Sequence, residues 1–284
     1  MNKTKNYSND PKILMFELRK RKKDVIFWGI AIFIILILVI FMSFKDISVL
    51  LALSGILKTL SFIIILVKVI NYQNCSGLSV SSLTCFLIAF LCRKFVVIFF
   101  EFRLRNFRVN VVNSRFNNIA EFASLFLCAA LVYIIYYKYP ETSDVRLDNK
   151  IRFYYICIPV FIVAIPFKPY IYRNWFADLL WIYSMFLESV ALYPQIRLFS
   201  VKKGLIENFT SQYLILHIIS TLYGICFWYQ RFYKFNDRDS LLLGGYSGYL
   251  IMVSEIIKLV SMGYYVYLFC ISFLKTYTQK KYDL

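Results

Sequence analysis

The stretch Trp181–Gln195, WIYSMFLESVALYPQ, decides the fold. It is apolar and long enough to lie in a bilayer, yet it carries Glu188 in its middle and Pro194-Gln195 at its far end. A carboxylate inside a membrane segment costs about 2.5–3.5 kcal/mol on insertion scales, so it faces a polar cavity or a partner. A proline removes a backbone donor and breaks the helix, which is tolerated where neighbours or water satisfy the freed groups. Together these features predict a helix lining a wet, polar cavity within the membrane.

Composition points the same way. Of 284 residues, 60% are hydrophobic and 19% aromatic, with a mean hydropathy of +0.62. Charged residues make up 17%, against about 25% in soluble domains. They cluster between long apolar runs, the pattern of a polytopic α-helical membrane protein. The formal charge of +17 does not call for nucleic acid. Lys and Arg collect in short inter-helix segments, where membrane orientation and anionic lipid account for them. Cys75, Cys85, Cys92, Cys128, Cys157, Cys226 and Cys270 form no CxxC and have no histidine at ligand spacing, so no metal, redox site or cofactor is expected. No paired carboxylates or Ser-His pair suggest an enzyme, and the expectation is binding rather than catalysis.

Residues 1–24 read as a basic tail, ending in Arg19-Lys20-Arg21-Lys22-Lys23. Val25–Phe44 is an uncharged apolar run and reads as a transmembrane helix. Its bulky residues continue without a small-residue cleavage site, so it is an uncleaved anchor rather than a signal peptide. Further spans are expected near 48–70, 80–100, 117–137, 152–168, 176–199, 211–230 and 243–274, making eight helices with the first. The span 152–168 is short and rich in proline. The domain reading is thus a tail at 1–24, an added helix at 25–44, a seven-helix bundle over 47–275 and a tail at 276–284.

The distribution of Lys and Arg places both termini in the cytosol. The basic loop from Glu101 to Arg115 falls on the opposite side, against this rule, and either counts against the orientation or marks a surface that meets acidic ligands. The sequons at Asn2, Asn6, Asn74 and Asn208 all fall on the cytosolic side and are expected to carry no glycan.

Several polar residues stand within or at the edges of spans. Arg93, followed by Lys94, lies inside FLIAFLCRKFVVIFF; Glu188 lies inside the opening stretch; Asp178 precedes Trp181; Trp228 and Arg231 close LILHIISTLYGICFWYQR. Structural readings exist for each: an Arg93–Glu188 ion pair, an Arg231 that snorkels, a Trp228 in the aromatic belt and an Asp178 favourable at a helix N-terminus. Read together, two arginines flank a cavity holding a carboxylate and a tryptophan. Arginine forks match carboxylates bidentately and stay protonated in low dielectric. Such a cavity suits a small anionic ligand, especially one ending in a free carboxylate.

The string WIYSMFLESVALYPQ resembles the corresponding helix of the KDEL receptors, the ER lumen protein-retaining receptors, whose pattern reads close to W-T-F-S-I-Y-L-E-S-V-A-I-L-P-Q. The resemblance continues over Cys75-Ser76-Gly77-Leu78-Ser79 (family C-A-G-I-S), Thr210-Ser211-x-Tyr213 (T-S-H-Y) and Trp228-x-x-Arg231 (W-I-W-R), and covers residues 47–275. The Pro-Gln pair also resembles the PQ-loop and SWEET-type transporters, which share the seven-helix arrangement of two three-helix repeats and a linking helix. The resemblance implies a receptor for the C-terminal Lys/His-Asp-Glu-Leu signals of escaped ER proteins. Such a receptor resides in ER and Golgi membranes and returns cargo in retrograde vesicles. It implies ligand contacts at Arg93, Lys94, Asp178, Glu188, Trp228 and Arg231, and a vesicle coat meeting Lys275, Lys280 and Lys281. The chain departs from the family at Leu51 (arginine), Lys58 (a histidine linked to pH sensing), Val96 (aspartate), Phe100 (asparagine), Ser220-Thr221 (Tyr-Arg), Gly224 (tyrosine) and Gly263 (aspartate). Lys58 or the 103–115 loop is the expected compensation for the lost arginine. Two further functions fit the same fold: a small-solute transporter, and a trafficking relative that no longer binds cargo. The single histidine, His217, matches none of the family's sites and reads as a core residue.

Overall fold

A computed structural model describes residues 48–101, 115–143, 152–168, 172, 174–202, 208–236 and 247–282. The chain divides into two compact units, residues 1–46 and 47–284, and all described residues belong to the second. The expected tail 1–24 and helix 25–44 lie outside them, as do residues 102–114 of the basic loop read from Glu101 to Arg115 and the last two residues of the tail.

The described residues are helical, with no strand among them. In chain order they form α1 (Ser48–Tyr72), α2 (Val80–Val96), α3 (Arg115–Tyr133), α4 (Tyr154–Ala164), α5 (Trp175–Val190), α6 (Tyr193–Lys202), α7 (Asn208–Asn236) and α8 (Ser247–Tyr282). Short π-helical turns extend α2 over Val97–Glu101 and α3 over Ile134–Lys138. Five segments are long and apolar enough to cross a membrane: Val49–Tyr72, Val80–Phe100, Asn117–Lys138, Trp175–Val201 and Gly248–Tyr267. Their outward side chains are apolar, as lipid requires; Ile56, Leu60, Ile63 and Val67 on α1 and Val253, Ile256, Ile257 and Val260 on α8 are all exposed.

Local chemistry sets the helix ends. Ser79 caps α2 by accepting from the Ser82 amide, and Asn174 caps α5 by accepting from the Phe176 and Ala177 amides. Pro159 lies inside α4, which stays short at 11 residues. The span 175–201 is broken at Ala191-Leu192, just ahead of Pro194. The proline has no N–H to offer and its ring collides with the carbonyl four residues back, that of Val190, where α5 ends. Ser82 Oγ donates to the carbonyl of Ala191, at the break, at 2.6 Å.

Gln195 then ties α6 to the α1–α2 loop. Its Oε1 accepts from the Ser79 amide and its Nε2 donates to the Gly77 carbonyl, both at 2.7 Å. Gly77 has φ +81°, a left-handed conformation suited to glycine. The two anomalies of the opening stretch therefore separate. Glu188 faces a cavity, whereas Pro194-Gln195 forms a dry clip at the other end of the bundle, with Gln195 buried.

The packing pairs close a ring. α1 packs on α3 and α7, α2 on α3 and α5, and α8 on α5 and α7, with α4 resting against α5. In the first triplet, α1-α2-α3, the third helix lies between the first two. In α5-α7-α8 it does so again. The two triplets meet through α1 on α7 and α2 on α5, the cross-pairing of two three-helix repeats joined by α4. One core layer is aromatic. His217, 1% exposed, takes its place among Phe62, Phe86 and Tyr213, with ring centroids 5.5, 5.1 and 5.0 Å away and Nδ1 2.9 Å from Ser61 Oγ.

Candidate functional site: an ionic cavity between the two triplets

The ring encloses a cavity near one end of the bundle. Every ring helix contributes to it: Leu51, Ser54 and Lys58 from α1, Arg93 from α2, Asn117 and Glu121 from α3, Trp181 and Glu188 from α5, Thr221 and Trp228 from α7, and Glu255 and Lys258 from α8. Tyr172, just ahead of α5, closes one side.

Glu188 is the hub. It is 2% exposed and meets three cations from three helices. Its Oε2 takes Arg93 Nη2 at 2.5 Å, and its Oε1 takes Lys58 and, at 3.4 Å, Lys258. Arg93 is two-sided: Nη1 reaches Glu121 Oε1 at 3.2 Å, and Nε lies 3.4 Å from Ser184 Oγ. Lys94, one residue on and about 100° around the helix, turns away to Glu121 Oε2 at 2.5 Å and to the face of Phe122, 4.9 Å from the ring centroid. Lys258 also pairs with Glu255 Oε1 at 2.9 Å. Among the described residues, four cations (Lys58, Arg93, Lys94, Lys258) pair with three carboxylates (Glu121, Glu188, Glu255), so this paired set carries one net positive charge.

Buried ion pairs hold only when each charge is compensated, since removing one partner leaves the other stranded. The cluster shares three carboxylates among four cations, which leaves its cations open to competition from an incoming carboxylate. One wall is aromatic. Trp181 and Trp228 meet edge to face with centroids 6.4 Å apart.

The residues singled out in the sequence fall into four places. Arg93, Glu188 and Trp228 share the cavity. Lys94 supports it from behind through Glu121. Asp178 is buried beside it, where its Oδ1 accepts from the Tyr172 amide at 2.8 Å and so positions a cavity wall. Arg231 lies on α7 three residues past Trp228, and Lys275, Lys280 and Lys281 lie on α8; their side chains are outside the described part. Of the positions where the family pattern is lost, Leu51, Lys58, Ser220, Thr221 and Gly224 all line the cavity. Val96 is buried elsewhere, and Gly263 faces open space. Sequence reasoning missed Glu121, Glu255 and Lys258. The signal was the one that flagged Arg93: ionisable residues inside apolar runs, here NNIAEFASLFL and LIMVSEIIKLV.

Fold and site together define a polytopic helical membrane protein with a buried ionic cavity between two three-helix triplets. The family model for the ER lumen protein retaining receptor matches residues 74–231. An ER lumen protein-retaining receptor of Plasmodium falciparum is 30% identical over 199 residues, 69% of this chain and 82% of its own length. Receptor 3 of Mus musculus is 28% identical over 186 residues, 64% and 78% of the two chains. Receptor 2 of Homo sapiens is 30% identical over 191 residues, 65% and 80%. The chain belongs to the ER lumen protein-retaining receptor family. Arg93, Glu121, Glu188 and Trp228 lie within residues 74–231, while Lys58, Glu255 and Lys258 lie outside them.

Proposed function

We propose that this protein is a retrieval receptor that binds C-terminal Lys/His-Asp-Glu-Leu signals of ER lumen proteins and carries them from Golgi to ER. The observation that carries the reading is the set of three cations, Lys58, Arg93 and Lys258, gathered on one internal carboxylate inside the membrane. Glu188 occupies the place that a ligand carboxylate would contest. The paired Trp181 and Trp228 offer a wall for the apolar terminal side chain. Arg93 and Lys58 hold the ligand carboxylate, Trp228 and Arg231 flank it, and Lys94 and Asp178 hold the walls in place.

In this reading the termini are cytosolic and the cavity opens toward the lumen. The tail lysines Lys275, Lys280 and Lys281 then face the vesicle coat, and the protein resides in ER and Golgi membranes. The activity is binding, with no chemical step. The test is titration of the purified full chain with an acetylated peptide ending Lys-Asp-Glu-Leu, next to the same peptide with an amidated C-terminus. Saturable binding of the free acid, weakened about tenfold or more by amidation and by Arg93→Ala, is the expected outcome. Equal binding of acid and amide, or no binding of either, would overturn it.

A further inference from the structure

Glu255 has one carboxylate oxygen that the folded chain does not use. The residue is 3% exposed, and its Oε1 takes Lys258 at 2.9 Å. Its Oε2 has no hydrogen-bond partner among the described residues. The surroundings show where that oxygen points. A Cβ placed on Gly224 would stand 3.6 Å from Glu255 Oε2 and 3.7 Å from Ser54 Oγ. Glu255, Gly224 and Ser54 all line the cavity. The Ser54 hydroxyl is committed to the Ser220 carbonyl at 2.8 Å, so it is no donor for Glu255. The missing side chain at Gly224 leaves room for a Cβ, at ordinary contact distance, beside a buried, unfilled acceptor. Buried carboxylate oxygens are ordinarily hydrogen-bonded, so this one marks a place that a donor fills.

Charge selects the kind of donor. The Lys258 ammonium is divided between Glu255 at 2.9 Å and Glu188 at 3.4 Å. A ligand carboxylate that takes up Lys58, Arg93 and Lys258 draws compensation away from both glutamates. A cation on the same ligand restores it. With one net positive charge in the cluster, the best match is a ligand whose carboxylates outnumber its cations by at least one and whose cation reaches Glu255.

We infer that Glu255 is a specificity-determining residue of the cavity, its Oε2 accepting an ammonium group carried by the bound peptide through the gap left at Gly224. The inference rests on reading the cavity as a peptide site, and it assigns a role to α8, which lies beyond the 74–231 match.

The experiment compares two acetylated peptides at one pH, one ending Lys-Asp-Glu-Leu and one with norleucine in place of the lysine. Norleucine keeps the aliphatic stem and drops the ammonium. The unaltered receptor is expected to favour the lysine peptide by about tenfold, and E255Q to bind the two peptides within about twofold of each other. Equal affinities in the unaltered receptor overturn the inference and leave the receptor reading standing. A preference retained by E255Q overturns it as well. Binding of neither peptide removes the receptor reading and this inference with it. Should E255Q fail to fold, Gly224→Ala serves, since its Cβ makes only ordinary contacts at 3.6 and 3.7 Å. It is expected to erode the lysine preference, and an undiminished preference there is a refutation.

Discussion

Glu188 concentrates the energetics of the cavity in one side chain. It is the only described carboxylate that meets Lys58, Arg93 and Lys258 together, so its neutralisation strands cations on three helices at once. Breaking a buried pair costs about 3–5 kcal/mol because the remaining charge is left uncompensated. Glu188→Gln should therefore lower the thermal unfolding midpoint in detergent, and Glu188→Gln with Lys258→Met should recover part of the loss. Additive losses in the double variant would show that the two residues do not share one network. Arg93 invites a sharper substitution. Its guanidinium spans Glu121 and Glu188 from separate nitrogens, which a lysine ammonium on a flexible stem does not reproduce. Arg93→Lys should retain the charge yet lose stability and about tenfold or more in peptide affinity by titration. At this scale the sequence was legible one residue at a time. Arg93 and Glu188 stood out because each is a charge in an apolar run. Glu121, Glu255 and Lys258 obey the same rule but sit near span ends or at i,i+3 spacing, where a snorkelling or surface pair reads equally well.

The break at Ala191-Leu192 is an element-scale device, and its purpose is separate from the cavity. Pro194 ends α5, and Gln195 spends its amide on the Ser79 N–H and Gly77 carbonyl, clipping α6 to the loop between α1 and α2. Gln195→Ala leaves both backbone groups buried without these partners, at about 1–3 kcal/mol each. The variant should unfold at a lower temperature and show faster amide exchange over 73–79, with peptide affinity unchanged because the clip lies at the far end from the ligand. A loss of affinity matching that of an Arg93 substitution would contradict this separation. The expected helices over 48–70, 80–100, 117–137 and 176–199 fall within a few residues of α1, α2, α3 and the α5–α6 span, because long uncharged runs leave little choice inside a bilayer. α4 is shorter than the expected 152–168: regular helix covers Tyr154–Ala164, running through Pro159 and ending just before Pro166. What the sequence hid was Pro194-Gln195 as a dry clip; a proline and an amide in a membrane segment read as readily as parts of a wet cavity.

At the scale of the whole molecule, the pairings α1–α3–α2 and α5–α8–α7 repeat one plan, and the cavity lies where the two copies meet. Repetition of packing without repetition of residues explains why no internal repeat was visible in the sequence: the copies share a route and place unlike side chains along it. The same plan fixes which groups share a side of the membrane. Cys75 in the α1–α2 loop bonds through its amide to Thr142 Oγ1 at 3.2 Å, which puts the loop and the end of α3 together at the clip end. Trp175, at the start of α5, belongs to the end that bears the cavity. If the cavity opens to the lumen, cysteines at these two ends should differ in reach. In sealed ER vesicles with their cytosolic face outward, a membrane-impermeant maleimide should label Glu141→Cys directly and Trp175→Cys only after detergent is added. Both natural side chains are exposed, so neither substitution disturbs the core. The reverse pattern would place the cavity in the cytosol, where no retrieval signal is presented, and the receptor reading would fall on topology alone.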